Sequence, residues 1–339
     1  MSLLTWAPPG ATRTPALMKG LGMATAFVFP GQGSQAVGMG RALGEAFPAA
    51  RGVYAEVDDA LSQKLSSLMF EGPEAELTLT SNAQPALMAV SIAVLRVLEA
   101  EAGLDLAREA KFVAGHSLGE YSALAAAGAF TLADTARLLR LRGDAMQKAV
   151  PVGEGAMAAL LGLDLAGGRE VCAEAAAATG LVCQIANDNG GGQVVASGSK
   201  AAVEKAMEIA KARGVKRAIP LPVSAPFHCA LMQPAADAMA RALSEVTIKA
   251  PKVTLVANVL AAPLTNPEEI RLRLVEQVTG TVRWAECVSY MASQGVTQFY
   301  ELGSGKVLSG LVKRIAAEAS GAAVGAPADV ETFKARVLA

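Results

Sequence analysis

The pentapeptide Gly115-His116-Ser117-Leu118-Gly119 constrains this chain more than any other stretch. A short apolar run, Phe112 to Ala114, leads into it and an Ala-rich, helix-forming run leads out. Ser117 is therefore predicted to stand on a tight strand-to-helix turn, the nucleophile-elbow arrangement. Glycine on both sides matters because such a turn presses backbone against backbone and leaves no room for Cβ atoms beside the serine. A strand that turns directly into a helix predicts an α/β fold.

The alternation elsewhere agrees. "TSNAQPALMAVSIAVLRVLEAEAG" (80–103) reads as a helix with caps at Thr80 to Asn82, Pro85 in its first turn and Gly103 closing it. A second helix is predicted over 131–150. From about residue 155 the order becomes strand, helix, strand, strand, helix, strand, the βαββαβ unit of ferredoxin-like folds. Strand and helix patterns resume at "TLVANVL", "TQFYELG" and a helix from Lys306. The expected architecture is a large α/β-hydrolase-like domain with a parallel sheet core, built from 23–152 and 222–339. A small ferredoxin-like subdomain, 153–221, is inserted between the two parts. Residues 1–22 lack acidic residues and the apolar region of a secretory signal, and read as a disordered extension ahead of Met23.

Composition excludes several classes of function. Hydrophobic residues are 52% and charged residues 18% of the 339, which excludes disorder. A net charge of −1 gives no global field for nucleic acid. Two histidines and four dispersed cysteines without a C-x-x-C pair argue against a metal site and against a disulfide framework. That cysteine usage fits a reducing, cytoplasmic setting. No uninterrupted apolar run reaches the ~18 residues of a membrane span, so no membrane partner is expected.

A serine of ordinary pKa needs a base. His116 adjoins Ser117, so their side chains diverge; His228, in "VSAPFHCALM", lies far downstream at a strand-to-helix loop and is the candidate. No Asp or Glu stands out to orient it, which leaves a backbone carbonyl or an amide as the acceptor. The opening stretch "FVFPGQGSQAVG" allows two readings. Its glycines fit a dinucleotide-binding loop, with Glu56 and Asp58 near the place of a ribose-binding acid. Alternatively, the amide of Gln32 joins that of Leu118 in an oxyanion hole, which needs two donors. The chemistry of the elbow favours the second.

"FVFPGQGSQAVGMG", "GHSLGEYSAL", "LRGDAMQKAVP", "PFHCALM" and "ELGSGKVLSGLVKRI", in this order, closely resemble the malonyl-CoA:acyl carrier protein transacylases of bacterial fatty acid synthesis. The resemblance covers about Met23 to Ala316. It implies transfer of a malonyl group from malonyl-CoA to the phosphopantetheine thiol of acyl carrier protein, with no cofactor and a monomeric enzyme. It implies Ser117 as the acylated serine, His228 as its base and the Gln277 carbonyl as the acceptor that holds the histidine. The amides of Gln32 and Leu118 would form the oxyanion hole, and Arg142 would bind the substrate carboxylate. Asn187 matches a polar site residue, although the Gly190 to Gly192 run departs from the family's spacing. Phe227 is expected to wall the pocket beside the substrate α-carbon. Carriers of this pathway are acidic, so Lys205, Lys211, Arg213, Lys216, Arg217, Lys313 and Arg314 are candidates for a basic docking face. A serine esterase or thioesterase with the same Ser-His pair is the rival reading.

Overall fold

A computed structural model describes residues 24–338; the extension expected over 1–22 lies outside them. Among the described residues ten strands form two sheets: β1 (Thr25–Phe29), β2 (Phe112–Gly115), β3 (Gly155–Leu161), β4 (Cys183–Asp188), β5 (Gln193–Ser199), β6 (Arg217–Pro220), β7 (Thr254–Ala257), β8 (Ala262–Leu264), β9 (Gln298–Leu302) and β10 (Ser320–Val324). The larger sheet runs β10-β9-β1-β2-β7-β8, parallel except for the antiparallel β8 edge.

All five residues of β1 are buried, as a strand covered by helices on both faces requires. Its side chains alternate between two cores: Phe27 and Phe29 join the cluster containing Leu87 and Leu124, while Ala26 and Val28 join the cluster around Trp284 and Val288. The helix Thr80–Ala102 fills the first core. By length and composition this helix is long and apolar enough to cross a bilayer, which the uninterrupted-run criterion missed, yet 83% of its apolar window is packed inside the protein. Gly103 closes it as expected, but Leu79 occupies the N-cap without a side-chain bond, and Pro85 falls inside the helix as its sixth residue instead of in its first turn.

The smaller sheet has the order β4-β5-β3-β6 with antiparallel pairing throughout. The helices Leu165–Thr179 and Lys200–Ala212 cover one face through Val171, Val203 and Ala206. Met157, Ala186 and Val195 on the other side pack into the large core. At its β4 edge the backbones lock together: Asp188 N–H donates to the Val282 carbonyl (3.0 Å) and Val282 N–H to that of Ala186 (2.8 Å).

Candidate active site

Ser117 follows β2 with φ 54°, a left-handed conformation that holds its Oγ clear of the sheet. Both flanking glycines are dictated by close approach. A Cβ on Gly115 would lie 1.9 Å from Gly119 backbone atoms, and one on Gly119 would lie 2.2 Å from the Phe29 carbonyl oxygen. His116 N–H donates to that same carbonyl (3.0 Å), so the elbow is fastened to the end of β1. A Cβ on Gly31 would in turn meet the His116 carbonyl at 2.7 Å. Gly31 of the opening loop therefore serves backbone packing against the elbow, whereas Gly33 has open space around it and supplies a positive φ of 102°. The ribose-acid reading fails: Glu56 and Asp58 lie within the helix Pro48–Leu61, and the Asp58 carboxylate accepts from Ser66 N–H (2.8 Å) and Ser66 Oγ–H (2.6 Å).

Ser117 Oγ lies 2.7 Å from His228 Nε2, and His228 Nδ1 lies 2.8 Å from the Gln277 main-chain oxygen. A carbonyl only accepts, so Nδ1 carries the proton and Nε2 is the free base facing the serine. Gln277 is in the last turn of the helix Pro267–Thr279, where carbonyls lack intrahelical partners and the helix dipole is negative. A helix end thus takes the place of a carboxylate behind the histidine. Burial, followed by the Arg142 charge, pushes His228 down to about 3, keeping it neutral.

Arg142, 1% exposed, reaches the site from the helix Leu132–Ala149. It donates to Ser117 Oγ (3.1 Å), to Gln277 Oε1 (2.9 Å) and to Gln84 Oε1 (2.9 Å). Arg137 and Arg140 on the same helix point elsewhere, to the Ala60 carbonyl and to Asn82 and Gln63. A cleft of about 620 Å³ is lined by Gln32, Ser117, Leu118, Arg142, Asn187, Phe227 and His228, with Met146 and Met157 among its apolar walls. Gln277 is fully buried behind it. Among the described residues the backbone N–H groups of Gln32 and Leu118 have no acceptor, and both residues border Ser117 in this cleft. Asn187 follows a register irregularity in β4, of the kind that redirects a side chain.

Four participants escaped the sequence reading. Gln84 anchors Arg142. Asn258, just past β7, accepts from Ser117 N–H (2.9 Å) and donates to the Gly115 carbonyl (2.7 Å). Glu120 accepts from Gln277 Nε2 (2.8 Å). Asn189 Oδ1 lies 2.9 Å from His116 Nε2, tying the elbow to the β4–β5 turn. The position of Asn258 at the C-terminal end of a strand in a parallel sheet was the available signal, since sites gather there.

Residues 26–326 match the acyl transferase domain family. The malonyl CoA-acyl carrier protein transacylase of Bacillus subtilis (strain 168) is 49% identical over 306 residues, covering 90% of this chain and 95% of the relative. That of Escherichia coli (strain K12) is 48% identical over 302 residues, covering 89% and 96%. The crystal structure of an acyl-carrier-protein-S-malonyltransferase from Bartonella henselae superposes with a TM-score of 0.90 at 59% identity, covering 93% of this chain and 99% of that one. A type II polyketide acyl-carrier protein in complex with its malonyl-transacylase matches with a TM-score of 0.88 at 45% identity, covering 92% and 99%. With its nucleophile elbow, buried arginine and nearly full-length similarity, the chain belongs to the acyl transferase domain family and, within it, to the malonyl CoA-acyl carrier protein transacylases.

Proposed function

We propose that the protein transfers malonyl from malonyl-CoA to the phosphopantetheine thiol of acyl carrier protein through a malonyl-Ser117 intermediate. One observation carries this reading: a Ser-His pair 2.7 Å apart shares its cleft with a buried guanidinium 3.1 Å from the same serine oxygen. An esterase has no use for that arginine, whereas a malonyl group ends in a carboxylate that a planar guanidinium grips bidentately.

In this mechanism His228 Nε2 takes the Ser117 proton as Oγ attacks the thioester carbonyl. The Gln32 and Leu118 amides stabilise the tetrahedral oxyanion. The carbon–sulfur bond then breaks, and CoA leaves as a thiol with the proton held by His228. In the second half the carrier's thiol gives its proton to His228 and attacks the malonyl ester; the acyl carbon–Oγ bond breaks, and Ser117 Oγ takes the proton back from His228. The chemistry uses no cofactor. Met157 and Asn187, from β3 and β4, roof the cleft and restrict water until the thiol arrives. Phe227, 8% exposed, walls the pocket against a methyl branch; methylmalonyl-CoA turnover comparable to malonyl-CoA would refute that role.

The larger sheet and its helices act as a hydrolase-like body, 23–152 and 222–339, carrying a ferredoxin-like insert, 153–221. Support comes from the βαββαβ order and the β4-β5-β3-β6 arrangement. Four free, buried cysteines are in keeping with a cytoplasmic enzyme. The deciding experiment is intact mass spectrometry after incubation with malonyl-CoA. A malonyl adduct absent from Ser117→Ala, and discharged onto added carrier protein, is the expected result; discharge to water alone would establish the thioesterase reading instead.

A further inference from the structure

That mechanism leaves the buried carboxylate nearest Ser117 in the chain without a task. Glu120 stands three residues after Ser117, in the first turn of the helix Gly119–Ala126, and is 1% exposed. Its Oε2 accepts from Gln277 Nε2 at 2.8 Å and from the backbone N–H of Asn258 at 3.1 Å.

On the other side of the same amide, Gln277 Oε1 accepts from Arg142. Two buried groups of opposite charge are thus separated by one primary amide, its NH₂ toward the carboxylate and its oxygen toward the guanidinium. Only this orientation satisfies both ends, because the reverse sets oxygen against carboxylate and NH₂ against guanidinium. The other partners of Arg142 are neutral, the oxygens of Gln84 and Ser117 and the Tyr121 ring 5.7 Å from its guanidinium carbon, and its Nε has no acceptor among the described residues. Of its partners, the Gln277 amide is the one that is itself bonded to a carboxylate. The same NH₂ also donates to the Ser117 carbonyl (3.0 Å), but a bond to a carboxylate is roughly twice as strong as one between neutral groups, so Glu120 is the stronger of these two acceptors in setting how the amide faces.

We propose that Glu120 is a positioning residue for acyl-group selection: by fixing the Gln277 amide it holds the Arg142 guanidinium beside Ser117, where the distal carboxylate of the acyl group must bind. The proposal rests on the malonyl-transfer reading of Arg142. It separates two functions of Gln277, whose main-chain oxygen serves the base while its side chain relays from Glu120 to Arg142.

The test measures Ser117 acylation by malonyl-CoA and by acetyl-CoA in single turnovers and takes the ratio of the two kcat/KM values. Glu120→Gln keeps the side-chain volume and one acceptor oxygen while removing the charge, so it remains informative even where Glu120→Ala does not fold. The ratio is expected to fall about tenfold in Glu120→Gln, chiefly through the KM for malonyl-CoA. In an Arg142→Ala background Glu120→Gln is expected to leave the ratio where Arg142→Ala alone puts it. A ratio within about twofold of wild type in Glu120→Gln, an equal loss for both acyl groups, or a further drop in the double variant would each overturn the proposal. Arg142→Ala alone distinguishes the two levels. If it keeps the malonyl preference, the parent reading fails; if it loses the preference while Glu120→Gln keeps it, only the role of Glu120 fails.

Discussion

Arg142 donates a hydrogen bond to Ser117 Oγ at 3.1 Å, so a buried cation touches the serine of the elbow. With Oγ accepting from the guanidinium, its own proton is left to point at His228 Nε2, 2.7 Å away, the direction in which it must travel. In the proposed mechanism this guanidinium is the group that binds the malonyl carboxylate. Replacing Arg142 by Ala removes charge-assisted bonds worth about 1.5–3 kcal/mol each. The expected result is a loss of about 100-fold in kcat/KM for malonyl-CoA. Arg142→Lys is expected to recover little, since a point charge cannot form the paired bonds. Steady-state kinetics with malonyl-CoA and acetyl-CoA check both; an unchanged preference in Arg142→Ala would show that the arginine does not read the carboxylate.

The elbow depends on contacts that a single methyl group would destroy. A Cβ on Gly119 would sit 2.2 Å from the Phe29 oxygen and 2.9 Å from the Pro30 oxygen, both backbone atoms that cannot swing aside. Gly119→Ala is expected to destabilise the fold by ~3 kcal/mol or more and to abolish Ser117 acylation in whatever protein still folds. Urea titration of the variant measures the first effect. A change below about 1 kcal/mol would mean that the opening loop and the elbow are not locked together as described.

These contacts also explain what the sequence could and could not disclose. Ser117 and His228 were legible because glycines mark the elbow and only two histidines were available, one of them geometrically excluded. The opening loop was ambiguous because one glycine spacing suits two tasks. The parallel pairing of β1 with β2 sets Phe29 beside Gly115 and so brings that loop against the elbow. Arg142 could not be separated from Arg137 and Arg140 by pattern, since helical phase alone turns it inward. The carbonyl of Gln277 has no side-chain signature at all: the residues left only a backbone carbonyl or an amide as the acceptor, and its position came from the family resemblance. Glu120 and Asn258 were hidden because their partners lie more than a hundred residues away in the chain.

The pH dependence follows from two buried groups shifted in opposite directions. His228 is held down to about 3 by burial first and by Arg142 second, opposed by its bond to Gln277. It is a base that is active when neutral, so activity governed by His228 persists as pH falls through 6.5 and is lost only near 3. Glu120 is raised to about 7 by burial, opposed by the bonds from Gln277 and Asn258 and by the Arg142 charge; Tyr121 and Cys287 also face it. Protonation of Glu120 weakens its hold on the Gln277 amide. The kcat/KM for malonyl-CoA is therefore expected to decline on the acid side with an apparent pKa of about 7. That limb is expected to vanish in Glu120→Gln, leaving a flat profile down to at least pH 5. A limb near 6.5 that survives in Glu120→Gln would mean His228 titrates in the ordinary range.

The carrier must bring its thiol to the mouth of the cleft, and the cations offered for docking are not equivalent. Lys205 is paired with Glu208, and Arg213 with Glu170 and Glu174, so both are already neutralised. Lys313 and Arg314 are exposed at the end of the helix Val307–Ile315 and belong to no ion pair among the described residues. Arg314 also lies against the β4–β5 turn, since a Cβ on Gly191 would meet its side chain at 3.3 Å. Through Asn189 that turn is bonded to His116 of the elbow, which places these two cations beside the roof of the site. An acidic carrier is drawn to such a pair by a field that salt screens within about 10 Å at 0.1 M ionic strength. Lys313→Glu with Arg314→Glu is expected to raise the KM for carrier protein about tenfold while malonylation of Ser117 from malonyl-CoA proceeds at the wild-type rate. The salt dependence of the transfer step is expected to flatten in the same variant. Stopped-flow measurement of the two half-reactions separates these effects, and a carrier KM that is indifferent to both charge reversal and salt would remove this face from consideration.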